Sequence, residues 1–169
     1  MSENLPPARL EQFARILLRH SVRFIVIGGQ AEYIFGSPRV TYDTDLCYER
    51  SPENLSRLAI ALKELDVQLR NAPRDLPFVL DARSLALGNN FTFTTTLGDL
   101  DLLSYVEPIG DFHQLNQRAK DYEIENLPIR VIDLDDLIRI KQHVNRPKDR
   151  DSLFQLLAIK KLREQTGKE

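Results

Sequence analysis

The sequence has very little cysteine: Cys47 is the single one, so no disulfide can form within the chain. It also has no long apolar run. Because a helix needs roughly 20 apolar residues to span a bilayer, the sequence predicts no membrane-spanning helix. The first residues, Met1-Ser2-Glu3-Asn4, lack the basic and apolar regions of a signal peptide. We therefore expect a cytoplasmic, bacterial protein with no membrane partner.

An excess of charge of one sign is absent as well. The net charge is −2, so the chain as a whole lacks the basic footprint of a nucleic-acid-binding protein. Basic residues do crowd near the C-terminus, at Lys141, Arg146, Lys148 and Arg150. What is present is an ordinary globular composition, with 42% hydrophobic and 28% charged residues in 169. That length and composition predict one domain, 1–169, with a real core.

Hydrophobic periodicity and capping residues predict the secondary structure. Helices are predicted at 10–18, 30–35, 52–65, 82–87, 111–120 and 133–144, and from residue 147 onward. Strands are predicted at 23–27, 43–48, 90–96, 99–106, 122–125 and 129–132, with 90–96 and 99–106 forming a hairpin. Helices mixed with short, partly hairpin-connected strands are typical of an α+β fold in which a short mixed sheet is flanked by helices.

The densest chemical pattern begins with Gly28-Gly29, which follows the first predicted strand and precedes a helix. At such a junction the backbone N–H groups can approach a phosphate at the positive end of the helix dipole. Asp43 and Asp45 come on the next strand, and the period of two puts both carboxylates on one face. Adjacent carboxylates repel one another unless a cation lies between them, and oxygen ligands of this kind suit Mg²⁺.

These residues resemble the nucleotidyltransferase superfamily related to DNA polymerase beta, whose pattern is an apolar residue, Gly, Gly or Ser, a spacer and Asp-x-Asp. Within it, the chain looks most similar to small bacterial proteins related to AbiE-type abortive-infection toxins, which carry Arg-x-Thr-x-Asp-x-Asp. Arg39 and Thr41 complete that element. A third metal carboxylate in an Asp-Leu-Leu context matches Asp101. C-terminal residues also match that family: Lys141, Arg146, Lys148, Asp149 and Asp151.

The resemblance implies a metal-dependent enzyme that transfers a nucleoside monophosphate from a nucleoside triphosphate to an acceptor hydroxyl of RNA, a protein or a small molecule. Asp43, Asp45 and Asp101 would be the catalytic metal ligands for Mg²⁺ or Mn²⁺. Nucleotide-binding residues would be Gly28, Gly29, Arg39, Thr41 and Lys141. The catalytic core would span about 22–106, with C-terminal helices at about 133–164. The chain is much shorter than full AbiE-type toxins, so we expect either a minimal catalytic core or a stand-alone small relative.

Several alternatives remain at this point. Thr44 stands where the superfamily usually has an apolar residue, and a non-catalytic module of the same fold is the main rival. A toxin–antitoxin component with a cognate partner protein is another. Asp99 shares a strand face with Asp101 and competes with it as the third carboxylate. Lys141 continues the apolar stripe of its helix, so its ammonium either extends outward to solvent or points at the carboxylates or phosphates.

Overall fold

The computed structural model describes residues 9–73, 75–76 and 78–167. The helices are α1 (Leu10–Arg19), α2 (Gly28–Ile34), α3 (Pro52–Glu64), α4 (Ala82–Leu87), α5 (Phe112–Asn116), α6 (Leu134–Val144) and α7 (Arg150–Thr166). The strands are β1 (Phe24–Ile27), β2 (Asp43–Tyr48), β3 (Gln68–Leu69), β4 (Phe91–Thr95), β5 (Gly98–Leu103), β6 (Tyr105–Val106), β7 (Gly110–Asp111), β8 (Lys120–Ile124) and β9 (Leu127–Val131). A 3₁₀ turn, Pro147–Asp149, precedes α7. Among the described residues, no helix is long and apolar enough to cross a membrane.

The described strands build one mixed sheet in the order β3-β4-β5-β2-β1-β9-β8, and β6 pairs with β7 separately. β2 is parallel to β5 and β1 is parallel to β9, whereas the other neighbours are antiparallel. The mixed sheet and the flanking helices confirm the predicted α+β fold. β8 and β9 lie outside the predicted catalytic core, 22–106, yet they belong to the same sheet.

The core forms because the central strands bury apolar residues on both sides. All four residues of β1 are buried, and Leu46 of β2 and Leu100 of β5 are fully buried. From the helices, α1 contributes Phe13 and Leu17 to the same cluster. Burying side chains of this size stabilises the fold by about 1.5–3 kcal/mol each. The sheet is therefore a rigid support for polar residues at its edge and on its strands.

Several predicted elements match the structure. Ser51 caps α3 through a hydrogen bond from Asn54 N, with Pro52 at the first helical position. The hairpin of β4 and β5 is present, and Phe91 and Phe93 pack in the core as stacked rings 6.0 Å apart. Local signals of this kind, such as caps, turns and alternating burial, act within a few residues and are therefore readable from sequence.

Other boundaries were predicted wrongly. The helix predicted at 111–120 ends at Asn116, because Lys120 pairs with Val131 and begins β8. The turn of the β8–β9 hairpin is made by Glu125 and Asn126, both with positive φ, so residues predicted as a loop already belong to β9. No Gly or Pro marks the end of α5, and long-range pairing decides it.

Candidate active site

Three aspartates meet on one face of the sheet, where β2 and β5 run side by side. The parallel register places Asp45 directly beside Asp101, and Asp43 lies two residues earlier on β2. One carboxylate oxygen from each of the three lies within 4.8 Å of the others. Asp43 is exposed, whereas Asp45 and Asp101 are partly buried. The structure therefore brings together the three residues predicted as metal ligands.

This crowding changes the proton affinity of the cluster. The pKa of Asp45 is raised from 3.8 to about 7, first because burial disfavours its charge and then because the Asp101 and Asp43 carboxylates repel it. A hydrogen bond with Asp101 raises this pKa further, and the positive charge of Lys141 lowers it. A cation placed among these oxygens would remove the repulsion, so the donor set fits a divalent metal ion such as Mg²⁺ or Mn²⁺.

Gly28 makes room for the cluster. Its φ is +64°, and a Cβ built on it would lie 2.2 Å from Asp45 Oδ2. A side chain is therefore excluded here by the Asp45 carboxylate as well as by the backbone conformation. The sequence pattern assigned Gly28 to phosphate binding. The structure shows a different reason for a glycine at this position, which is the close approach of the Asp45 carboxylate. The first turn of α2 starts at Gly28, so its amide end faces this region.

Gly29 makes the neighbouring contact, with Thr41. A Cβ on Gly29 would lie 2.9 Å from Thr41 Oγ1, and this hydroxyl donates a hydrogen bond of 2.9 Å to the Asp43 carbonyl. The close approach of α2 to the 37–42 segment therefore depends on a glycine. Thr41 holds the start of β2 rather than presenting a free hydroxyl in this state.

Arg39 ties the same segment to the C-terminal helices. Its Nη1 donates to Ser152 Oγ and lies 3.5 Å from the Lys148 carbonyl. Ser37 adds a second link, donating to Gln155 Oε1 at 2.8 Å. These contacts connect the loop before β2 to α7. Arg39 lines the same cleft as Asp43 and Asp45.

Lys141 is buried between two carboxylates that were not predicted as its partners. Its Nζ lies 3.3 Å from Glu32 Oε2 and 3.2 Å from Asp149 Oδ1, and its side chain is 15% exposed. The ammonium therefore points inward and does not extend to solvent. Burial alone would raise the pKa of Asp149, but hydrogen bonds from Arg146 and Lys141 outweigh it and leave this pKa below its ordinary value.

Asp149, one of the C-terminal residues that match the AbiE-related family, is buried, although charged residues are by default exposed. Only 5% of Asp149 is exposed, because the 3₁₀ turn before α7 directs it toward Lys141 and Arg146. Glu32 is equally buried, and its Oε1 has no hydrogen-bond partner among the described residues. The apolar stripe of α6 indicated that Lys141 needs a partner, but only the packing of α2 and α7 identifies which carboxylates fill that role.

Most of these residues line one cleft of about 240 Å³. The lining includes Gly29, Glu32, Arg39, Thr41, Tyr42, Asp43, Asp45, Lys141, Arg146, Lys148 and Asp149. A larger cleft of about 530 Å³ lies between β8 and α7 and contains none of the predicted site residues. The smaller cleft is the stronger candidate because Asp43 and Asp45 of the carboxylate cluster line it together with Lys141.

Arg70 is a further residue of the site that sequence reasoning missed. It follows β3, and its Nη2 donates to Asp101 Oδ1 at 2.6 Å. Its Nε lies 3.4 Å from Asp99 Oδ2. Asp99 therefore shares the arginine with Asp101 but is not a member of the three-carboxylate cluster. No sequence signal marks Arg70, because a two-residue strand has no readable periodicity.

No protein-family model matches the chain, and no curated protein matches it significantly. Solved structures do match. The lincosamide antibiotic adenylyltransferase LnuA, bound to lincomycin, superposes with a TM-score of 0.60 at 12% identity, covering 91% of this chain and 99% of LnuA. ANT(2'')-Ia, in complex with adenylyl-2''-tobramycin, gives 0.58 at 13% identity, covering 88% and 86%.

A nucleotidyltransferase-like protein from Paracoccidioides brasiliensis also matches, with a TM-score of 0.52 at 14% identity, covering 93% of this chain and 79% of that one. At such low identity the likeness concerns the fold. The chain therefore has the nucleotidyltransferase fold, which confirms the predicted fold class. These comparisons do not bear on the predicted similarity to AbiE-type toxins, and that stays a prediction.

Proposed function

We propose that this protein is a metal-dependent nucleotidyltransferase that moves a nucleoside monophosphate from a nucleoside triphosphate to an acceptor hydroxyl. One observation carries the proposal: three aspartates converge beside the glycine-initiated helix α2 in a chain with the nucleotidyltransferase fold. In the reaction the acceptor oxygen forms a bond to the α-phosphorus. The bond from that phosphorus to the pyrophosphate oxygen breaks, and pyrophosphate leaves with the electron pair.

Asp43, Asp45 and Asp101 would hold Mg²⁺ or Mn²⁺. When bound, such an ion neutralises the charge of the phosphates and lowers the pKa of an attacking hydroxyl. Asp45 would be the central ligand of the three, because it has Asp43 beside it along β2 and Asp101 beside it on β5. Asp101 would in addition help to accept the proton of the acceptor hydroxyl. The three carboxylates would thus supply metal ligands and a base on one face of the sheet.

The triphosphate would bind at the amide end of α2 and along the basic wall of the cleft. Gly28 and Gly29 offer backbone N–H groups without side chains in front of them. Arg39 and Lys141 supply positive charge in the same cleft. Lys141 is held by Glu32 and Asp149 in this state, so its transfer to a phosphate would exchange one anionic partner for another.

The acceptor is suggested by two of the matching structures. LnuA is described with lincomycin, and ANT(2'')-Ia with an adenylylated tobramycin. A hydroxyl-bearing small molecule of that kind is therefore the first acceptor to test, followed by RNA and protein. A cognate partner protein and a role in a toxin–antitoxin pair remain predictions from the sequence motif.

Incubation with labelled nucleoside triphosphates tests the proposal. Each of the four nucleotides is supplied with Mg²⁺ or Mn²⁺, together with a panel of hydroxylated small molecules, tRNA and cell extract. We expect a metal-dependent labelled product with the wild type and none with Asp45→Asn. The absence of metal-dependent nucleotide consumption under every condition would favour a non-catalytic module of the same fold.

A further inference from the structure

Arg70 makes an unusual set of contacts around one of the three clustered aspartates. Its guanidinium reaches Asp101 Oδ1 at 2.6 Å, the Phe93 carbonyl at 3.0 Å and Asp99 Oδ2 at 3.4 Å. Only 22% of the side chain is exposed. Nη2 donates both hydrogen bonds, to Asp101 and to the Phe93 carbonyl, whereas Nε is within ion-pair distance of Asp99 without forming a hydrogen bond. The guanidinium therefore holds the Asp101 carboxyl group through one charged hydrogen bond from a partly buried, anchored side chain.

The backbone of Arg70 is fixed as well. Its N–H donates to the Thr92 carbonyl at 2.9 Å, and Thr92 is the residue of β4 that pairs with Asp101 of β5. The arginine therefore reaches Asp101 across one intervening strand, from a position that is itself hydrogen-bonded to that strand. A path this short leaves little freedom for the Asp101 carboxyl to rotate.

Asp101 needs such a constraint because its carboxylate lies in a mutually repelling cluster. Asp45 is directly beside it in the parallel register, and Asp43 is within the same 4.8 Å group. When all three carboxylates are ionised for metal binding, repulsion would turn the Asp101 carboxylate away from the other two unless a fixed partner held it. Hydrogen-bonded outer partners commonly orient metal-ligating carboxylates in this way, and their loss typically costs about 10–100-fold in metal affinity or activity.

We propose that Arg70 is a positioning residue of the site: it holds Asp101 in the orientation in which this carboxylate joins Asp43 and Asp45. This inference rests on the proposed function, since it assigns Arg70 a role through a metal ligand. Arg70 itself need not contact the nucleotide or the acceptor.

The test must separate orientation from charge. Removing the guanidinium charge would make the cluster more negative and strengthen cation binding, which would mask a loss of orientation. Arg70→Lys avoids this problem, because lysine keeps the charge and the aliphatic stem but has a single nitrogen instead of a planar fork. Arg130→Lys is the matched control. Arg130 lies on β9, where it binds Asp121 at 3.2 Å and the Asn116 carbonyl at 3.0 Å.

The measurements are Mn²⁺ binding by electron paramagnetic resonance, thermal unfolding, and kcat and KM with whichever of the four nucleotides the labelling experiment shows to be consumed. For Arg70→Lys we expect Mn²⁺ affinity and kcat to fall about tenfold. KM for the nucleotide and the unfolding midpoint should stay unchanged, and Arg130→Lys should match the wild type throughout. Arg70→Lys should have no further effect on Mn²⁺ affinity in an Asp101→Asn background, because the arginine acts through that carboxylate.

The possible negative results distinguish the proposed function from the positioning role of Arg70. If the wild type binds no more Mn²⁺ than Asp45→Asn, the proposed function falls and the role of Arg70 falls with it. If the wild type binds Mn²⁺ but Arg70→Lys binds it equally well, only the positioning role is overturned. Additive losses in the Arg70→Lys/Asp101→Asn double variant, or a loss of affinity that tracks a lower unfolding midpoint, would also overturn it.

Discussion

The Asp45 carboxylate fills the space that a side chain on Gly28 would need: a Cβ on Gly28 would lie 2.2 Å from Asp45 Oδ2. We expect Gly28→Ala to push the Asp45 carboxylate out of the cluster and to weaken Mn²⁺ binding by at least about tenfold. Backbone strain at the left-handed φ should destabilise the fold by a further 1–2 kcal/mol or so. Isothermal titration with Mn²⁺ and urea unfolding measure the two effects.

Gly167→Ala is the control for that substitution. Gly167 has a φ of +69°, close to the +64° of Gly28, and nothing lies within 4 Å of the position that a Cβ would take. It should therefore show the strain without the collision, so stability falls while Mn²⁺ affinity is retained. Equal Mn²⁺ affinity in both variants would show that the glycine serves the backbone alone.

Replacing Lys141 is expected to lower the free energy of unfolding, whether or not this residue also binds the nucleotide. From the apolar stripe alone, Lys141→Met is expected to keep the fold, because the apolar stem is retained. The structure changes this expectation, since Glu32 and Asp149 would be left as buried carboxylates without their ammonium. Removing one partner of a buried ion pair costs roughly 3–5 kcal/mol. Urea unfolding of Lys141→Met should show a loss of that size, and an unchanged midpoint would contradict it.

The double variant Glu32→Gln/Lys141→Met isolates the nucleotide-binding role of Lys141. Neutralising Glu32 removes one uncompensated charge, so part of the lost stability should return. If Lys141 moves to a phosphate, affinity for the nucleoside triphosphate should still fall by about ten- to a hundred-fold, corresponding to roughly 1.5–3 kcal/mol for one charged hydrogen bond. Fluorescence titration with a labelled nucleotide measures it, and Glu32→Gln alone serves as the reference. Wild-type affinity in the double variant would remove Lys141 from the nucleotide site.

Asp45 makes both stability and metal binding depend on pH. The folded, metal-free protein keeps the Asp45 proton up to a pKa of about 7, whereas the unfolded chain loses it near 3.8. Between these values the folded state binds more protons, so this group lowers the free energy of unfolding as pH rises. In EDTA, the stability of the wild type relative to Asp45→Asn should decrease across that window. A constant difference from pH 4 to pH 7 would contradict the raised pKa.

Mn²⁺ should show the opposite trend with pH. Binding must displace the Asp45 proton, so apparent affinity should rise by about tenfold per pH unit below pH 7 and level off above it. Calorimetry in buffers of different ionisation enthalpy should detect a released proton at pH 6. Affinity that is flat between pH 5 and pH 7 would place the titrating group elsewhere.

Asp101 and Asp99 should differ sharply when changed. Asp101→Asn removes a carboxylate from the cluster, so it should weaken Mn²⁺ binding to the residual affinity of Asp43 and Asp45 and abolish nucleotide transfer. Asp99→Asn removes only the weaker contact of Arg70, at 3.4 Å, and should have a much smaller effect on either. Mn²⁺ titration of the two variants side by side decides between them. A larger loss in Asp99→Asn would mean that the wrong acid was assigned.

The sequence was sufficient for the parts of the site that depend on local pattern. Asp43 and Asp45 alternate along one strand, and Gly28-Gly29 mark a strand-to-helix junction, so their neighbourhood follows from spacing. Asp101 was harder because Asp99 shares its face, and the parallel register sets Asp99 beside Asp43 just as it sets Asp101 beside Asp45. The positions of the carboxylate oxygens, which group Asp101 but not Asp99 with Asp43 and Asp45, distinguish the two. The roles of these residues in binding and catalysis stay predictions.

Arg70 and Glu32 were beyond sequence reasoning for a shared physical reason. Each is a charged residue whose burial is decided by partners far away in the chain, and charged residues are by default exposed. The C-terminal motif pointed to Asp149, but not to its burial against Lys141 and Arg146. Glu32 lies on α2 and meets Lys141 only when α6 packs beside it. Thr44 is a second case in which the residue type did not indicate burial. It replaces an apolar residue yet is fully buried, with its Oγ1 3.4 Å from Gln30 Nε2.

The pairing of Asp45 with Asp101 also has a consequence for how the chain folds. β2 and β5 are parallel and far apart in sequence, and such pairs close late because a long loop must be ordered first. Until they pair, Asp101 is separate from Asp43 and Asp45, and the three aspartates offer no common site. An ion bound by this cluster therefore stabilises only the completed sheet, by RT ln(1 + [L]/Kd). Added Mn²⁺ should accordingly slow unfolding while leaving the early steps of refolding unchanged.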